Sequence, residues 1–288
     1  MLRNAFAYIT RKWPKSLLLF AIILLMGTLS LIGLSMKGAT QKASSESLGS
    51  ITNSFSMQIN RRTNQGTPRG AGNLRGEDIE KISQVEGITS SIKRINAIAD
   101  ILDHEIIETE ETLQNQSPER AKHFKNTLMV TGVNDSSKED KFVSGAYKLV
   151  QGEHLTDKDK NQILMHEDLA KKNGLKVGDK VRLKSNLYDA DNEKGANETV
   201  EVTIKGLFSG KNQAPLTYAQ ELYEDTLISD LDTAAKLYGN TVQTATYEDA
   251  TFFAKGDQDL DKLIEKIKAL DIPWNYYDLV KSSSNYPA

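Results

Sequence analysis

The sequence predicts an α+β protein: one N-terminal transmembrane helix, then an extracytoplasmic region of two α/β subdomains, the smaller and β-rich one inserted in the larger. Three observations carry this. Residues 17–36 run for 20 residues without a charge, and at about 1.5 Å per residue a helix of that length spans the ~30 Å hydrocarbon core. Two strand–helix–strand patterns lie near opposite ends of the remaining chain. The stretch between them is dominated by short alternating strands and turns.

Composition sets outer limits. Hydrophobic residues make up 39% and charged residues 26% of the 288, which is ordinary for a folded protein and argues against global disorder. There is no cysteine, so disulfides, thiolate metal sites and a cysteine nucleophile are excluded. The net charge is −3. The first 36 residues hold four of the 36 basic residues and none of the 39 acids, which leaves the remainder at −7. Such an acidic bulk argues against a nucleic-acid partner, because phosphate binding needs clustered Lys and Arg.

Residues 1–15 read as a cytoplasmic segment. Leu2, Phe6, Ile9 and Trp13 recur at helical spacing, as in an amphipathic helix on the inner membrane surface; a plain charged flank with accidental spacing explains the same residues equally well. Residues 16–36 form the membrane helix, anchored by Leu17, Phe20, Ile23, Leu25, Leu31 and Met36. The run exceeds the apolar core of a signal peptide, and Ala39 and Ala43 lack the spacing of a cleavage site, so the helix is expected to stay attached. Arg3, Arg11, Lys12 and Lys15 precede it, and only Lys37 and Lys42 follow closely. That asymmetry puts the N-terminus in the cytoplasm and residues 37–288 outside the cell membrane. Residues 37–50 are small and polar, a tether.

Residues 51–134 and 231–288 are expected to form one discontinuous α/β subdomain. "ITNSFSMQIN" alternates as a strand, with Ile51, Phe55, Met57 and Ile59 on one side. "GEDIEKISQVEG" opens on acids, places Ile79, Ile82 and Val85 on one face and closes at Gly87. "ITSSIKRINAIADIL" returns to strand alternation. Near the other end come "DATFFAKG", a helix with Leu260, Leu263, Ile264, Ile267 and Leu270 at helical spacing, and "IPWNYYDLV".

Residues 135–230 are the expected insertion. A strand at 163–165 runs into a helix over 167–173, a Gly174 cap, a turn at 177–179 and a strand over 180–184. "ETVEVTIKGLF" alternates Val200, Val202 and Ile204 with Glu201, Thr203 and Lys205, a one-sided strand.

Chemical motifs are near-misses. "GLFSGKN" has three residues between its glycines instead of four, and Asn follows the Lys, so it reads as a turn and not a phosphate loop. "DADNEKG" misplaces the glycine of a calcium loop, and "DKDKNQ" lacks one; both read as solvated acidic turns. His104, His123, His154 and His166 show no metal-ligand spacing. No G-x-S-x-G occurs. The acidic run "DHEIIETEET" reads as a solvated face. No catalytic residue, metal site or cofactor is expected.

The order of features resembles a family. "NAFAYITRKWPKSLLLFAIILLMG" is similar to the N-terminus of FtsX-like ABC-transporter permeases. "NTLMVTGVND", "GAYKLVQGEHLTDKDKNQILMHEDLAKKNGLKVGDKVRLKS" and "VEVTIKGLFSG" resemble the extracytoplasmic core domain of the MacB-like members, and among those most the streptococcal Vex type. The matching positions are Gly152, Leu155, Leu169, Ala170, Gly174, Gly178, Asp179 and Gly206. The resemblance implies a permease subunit of an ABC exporter that pairs with a second permease subunit and a separate cytoplasmic ATPase. ATP hydrolysis would move the outer domain to export a peptide, an antibiotic or a lipid-linked compound. It also implies three further membrane helices, so this chain is expected to be the N-terminal part of a longer protein. The competing reading is a single-pass, membrane-anchored receptor or adhesin; a tethered hydrolase is a more distant third.

Overall fold

The computed structural model describes residues 53–66, 73–214 and 216–282. The expected amphipathic segment, membrane helix and tether lie outside these residues. Among the described residues no helix is long and apolar enough to cross a membrane.

The elements follow in chain order. They are β1 (Ser54–Ile59), β2 (Leu74–Arg75), α1 (Gly76–Ser83), β3 (Ile88–Ile101), α2 (Glu110–Gln114), α3 (Pro118–His123), β4 (Thr127–Val133), α4 (Asp140–Val143) and β5 (Lys148–Gly152). Then come β6 (Gln162–His166), α5 (Glu167–Lys172), β7 (Lys180–Ser185), β8 (Thr199–Ser209), β9 (Thr226–Ser229), α6 (Leu231–Lys236), β10 (Thr246–Tyr247), β11 (Asp249–Ala254), α7 (Leu260–Lys268) and β12 (Tyr277–Lys281).

Local chemistry explains most of them. Along β1, Phe55 and Met57 are buried and Ile59 partly so. In α1, Glu77 and Asp78 occupy the first turn, where the helix dipole favours acids, and Ile79 and Ile82 face the core. The α7 helix opens on Asp259, whose carboxylate accepts from the Asp261 and Lys262 N–H groups, and buries Leu263, Ile264 and Ile267. Its flanking Leu260 and Leu270 are only partly buried. The α5 helix begins at His166, closes on Lys171 and Lys172, and has Asn173 as its C-cap. In β8, Val200, Val202 and Ile204 are buried as the alternation requires.

One sheet runs β12-β1-β11-β3-β4-β9-β6-β8-β5, with β7 bonded to both β3 and β8. Every strand from residues 53–134 and 231–282 in that path stands on one side of the β4–β9 junction. The strands from 135–230 stand on the other. The junction is a parallel pair, Met129↔Thr226 to Gly132↔Ser229. Because β7 bonds β3 at Ala99–Ile101 and β8 at Val200–Thr203, strands β3, β4, β9, β6, β8 and β7 form a closed circuit. A separate two-stranded ribbon pairs β10 with β2. The main core lies between the sheet and its helices; a second cluster of Val133, Tyr147, Leu155, Leu164, Phe208 and Ile228 sits towards the β5 edge.

Three features differ from the sequence reading. Strands β4 and β9 carry no alternation signal because they are buried on nearly every residue, as strands in a parallel pair inside a sheet are. The edge strand β5 is mostly exposed. The loop "DADNEKG" is not a solvated acidic turn: Asp189 and Asn192 are buried, and the Asn192 amide donates to Asn186 O (3.1 Å) and Ala196 O (2.7 Å). Asp189 accepts from the Tyr238 hydroxyl.

Candidate functional site

The two ends of the described chain lie side by side. β1 and β12 are antiparallel neighbours, Phe55↔Lys281 through Ile59↔Tyr277. Where they part, the Ser282 N–H donates to Ser54 O at 3.0 Å and the Ser54 hydroxyl donates to the Ser282 hydroxyl at 2.8 Å. On the other side of β1, Ser54 pairs with Phe253 and Ser56 with Thr251, and the hydroxyls of Ser56 and Thr251 are 3.1 Å apart. Asn53 closes the corner: its carbonyl accepts from Ala254 N–H at 2.9 Å, and its side-chain amide donates to Lys255 O and, at 3.3 Å, to Gln258 O. Phe55 stacks on Phe252, with centroids 5.3 Å apart, beneath this corner.

Buried charge fixes the last strand to the first helix. Asp78 is fully buried and accepts from Arg75 Nε (2.8 Å) and the Tyr277 hydroxyl (2.9 Å). The hydrogen bond to Asp78 pushes the Arg75 pKa further up, and burial raises that of Tyr277. Lys281 forms an ion pair with Asp261 at the start of α7. Chain entering at 53 and leaving at 282 is therefore held by four elements: β1, β12, α1 and α7.

From this base the sheet carries a long strut. Ser90 of β3 pairs with Phe253, beside the base, and the 14-residue strand extends for about 45 Å at ~3.3 Å per residue. At its far end Asp100 pairs with Thr127 and with Lys184. There the buried Asn186 amide donates to Asp100 Oδ1 (3.0 Å), His123 O (2.9 Å) and Thr127 Oγ1 (3.2 Å). Its Oδ1 accepts from the Tyr188 N–H at 2.8 Å, and the Tyr188 ring stacks on His123 with centroids 3.5 Å apart. Leu187 and Tyr188 stay exposed on this rigid loop.

A family model described as the MacB-like periplasmic core domain matches residues 16–270. The chain belongs to this family. It is similar to the uncharacterized ABC transporter permease YclI of Bacillus subtilis (strain 168), with 23% identity over 313 aligned positions that take in 99% of this chain. The chain spans 63% of that relative's length. Among solved structures it is similar to the periplasmic region of MacB from Actinobacillus actinomycetemcomitans, at 17% identity and a TM-score of 0.44, covering 81% of this chain and 91% of that one. It is also similar to the extracellular domain of the noncanonic ABC-type transporter YknZ from Gram-positive bacteria, at 12% identity and a TM-score of 0.39, covering 79% and 100%.

In this MacB-like core domain the eight positions named from the sequence fall in two groups. Gly152 and Gly206 face each other across the β5–β8 pair. A Cβ on Gly152 would lie 2.2 Å from Lys205 O, and its φ is +78°; a Cβ on Gly206 would lie 2.8 Å from Gln151 O. Leu155 is fully buried in the second core cluster beside them. Leu169 and Ala170 pack α5 against the main core. Gly174 ends that helix with φ +66°, the Gly178 N–H donates to Ile204 O at 2.8 Å, and Asp179 Oδ2 accepts from the Lys176 N–H at 2.9 Å. These residues build the fold of the middle segment and do not converge on one cavity.

The histidines also separate. His166 is buried, accepts at Nδ1 from the Asp168 N–H (3.1 Å) and meets Gly210 O through Nε2 (2.9 Å). His154 Nδ1 contacts the Ser136 hydroxyl at 2.8 Å, and burial lowers its pKa. "GLFSGKN" is the end of β8 with no helix after it. The acidic run turns one apolar residue inward, Ile106, and Asp225 Oδ1 accepts from the Ile107 N–H at 2.7 Å. Asp225 is wholly buried, and burial raises its pKa to about 8. Among the described residues no group of His, Asp and Glu could hold a metal ion. Reasoning from sequence missed the clamp between the two ends because a contact between residues 54 and 282 leaves no local pattern.

Proposed function

We propose that this chain is the N-terminal part of a permease subunit of an ABC exporter. Its outer domain is a lever moved by ATP hydrolysis in a partner ATPase, and it works beside a second permease subunit. The observation that supports this best is the base. The segment arriving from residues 17–50 and the segment leaving after 282 depart from adjacent, mutually hydrogen-bonded strands. Displacement applied there enters a braced corner and is transmitted along β3 to the far end. Membership of the MacB-like family and the similarity to an ABC transporter permease agree with this reading. In the same proposal residues 17–36 span the cell membrane with Arg3, Arg11, Lys12 and Lys15 inside. Residues 51–134 with 231–288 and residues 135–230 act as two subdomains sharing one sheet.

The experiment uses the full-length permease with its ATPase. Spin labels at Leu187 on two permease copies report the distance between tips in the nucleotide-free and ATP–vanadate states. The distance changes in the native protein. A flexible Gly-Ser segment inserted within 37–50 removes the change while ATP hydrolysis continues. An unchanged distance in the native protein, or a full change with the insert present, overturns the lever.

A further inference from the structure

The base half of β3 has a free edge. β3 pairs with β11 along one side from Ile88 to Arg94, but its pairing with β4 begins only at Arg94↔Val133. Among the described residues no strand covers 88–93 on the β4 side. The next groups along that edge are held by a side chain. The Lys93 N–H donates to Asn134 Oδ1 (2.8 Å), and Asn134 Nδ2 donates to Ser91 O (2.7 Å). Asn134 thus makes with its amide the two bonds a strand residue would make. A strand residue's N–H and C=O point the same way in an antiparallel ladder, so the Ser91 N–H faces the same open side. Thr89, skipped in the register between Phe253↔Ser90 and Ala254↔Ile88, marks a bulge at the end of this edge.

A cleft of about 470 Å³ lies along it, touching Thr89, Ser90 and Ser91. Successive residues of a strand point to opposite faces, so a cavity that touches three in a row lies against the strand's edge. The cleft is also lined by Asp157, Asp159, Asp230 and Asp232 against Lys93 and Lys160. Asp159 is held by Lys205 (2.9 Å), Asp230 accepts from the Gln162 N–H (3.0 Å), and Asp232 stands 3.9 Å from Lys160. Asp157 is exposed at the rim. The balance of the lining is negative.

We infer that this cleft binds an extended basic peptide, which adds a strand to the free edge of β3 at Thr89–Ser91 and sets its basic side chains towards Asp157 and Asp232. Main-chain hydrogen bonds supply affinity with little sequence demand, and the carboxylates select for charge. The inference does not rest on the transport reading; it stands equally if the chain is a receptor.

The test uses the full chain in detergent micelles and a fluorescein-labelled Lys-Val-Lys-Val-Lys peptide. Two further copies carry N-methyl groups on one or the other set of alternate amides. The parent binds saturably and slows hydrogen exchange at the Ser91 amide. The copy methylated on its pairing edge binds at least about tenfold more weakly, the effect expected for losing two backbone hydrogen bonds, while the other copy keeps most of the affinity. Asp157→Lys weakens binding severalfold without moving the unfolding midpoint. No saturable binding, equal binding by all three peptides, or exchange protection away from 89–93 overturns the inference. Protection of Ser91 that rises with chain concentration and ignores the peptide assigns the edge to a second copy, and also overturns it.

Discussion

Replacing Gly152 by Ala tests how the middle segment is held. The residue has φ +78°, and the added Cβ would sit 2.2 Å from Lys205 O and 2.7 Å from Gly206 Cα. Both neighbours are backbone of β8, so neither can rotate away. The left-handed conformation alone costs an L-residue about 1–2 kcal/mol. Forcing β5 away from β8 adds about 1–3 kcal/mol, the usual range for overpacking. Gly174→Ala is the internal control. Its φ is +66° with nothing within 4 Å of the new Cβ, so it carries only the conformational cost of about 1–2 kcal/mol. Urea unfolding followed by pulse proteolysis measures both. With a slope of about 3 kcal/mol per M, Gly152→Ala shifts the midpoint down by about 1 M and Gly174→Ala by about half that or less. Equal shifts for the two variants would show that the close approach of β5 to β8 contributes nothing, and would refute the reasoning.

Two further outcomes follow from buried charge and from the N-terminal span. Asp225 has its pKa raised by burial from 3.8 to about 8; between those values the folded chain keeps a proton that the unfolded chain has released, so stability falls as pH rises from about 4 to about 8. Asp225→Asn retains an acceptor for the Ile107 N–H and loses this dependence, so its thermal midpoint gains on the native protein between pH 5 and pH 8; a constant difference would contradict the assignment. Reporter fusions at residue 10 and residue 45 are expected to mark the cytoplasm and the exterior respectively, with the mature N-terminus uncleaved; a mature chain beginning near residue 40 would rule out the anchor.

The sequence by itself determined the elements whose residues announce their surroundings. The alternation of Val200, Val202 and Ile204 can only be a strand with one wet face, and Ile79, Ile82, Leu263 and Ile267 mark helices with one buried stripe. The acids opening α1 and α5 and the glycine after α5 are local signals, legible because the forces that select them act within one turn. The order of short motifs carried the family. Other features were decided only when distant segments met. β4 and β9 are buried on both faces, so no alternation separates them from any apolar run. β5 is an edge strand identified by its partner and not by its own residues. Asp189 and Asn192 look like surface residues in the sequence and became interior ones because the loop that carries them folds back on itself and Tyr238 closes over it. The base, where Ser54 meets Ser282, and the open edge of β3 beyond Asn134 have no local signature at all. Each depends on where a neighbouring strand begins or stops, and strand pairing is set by the burial of the whole sheet, which no short stretch of sequence contains.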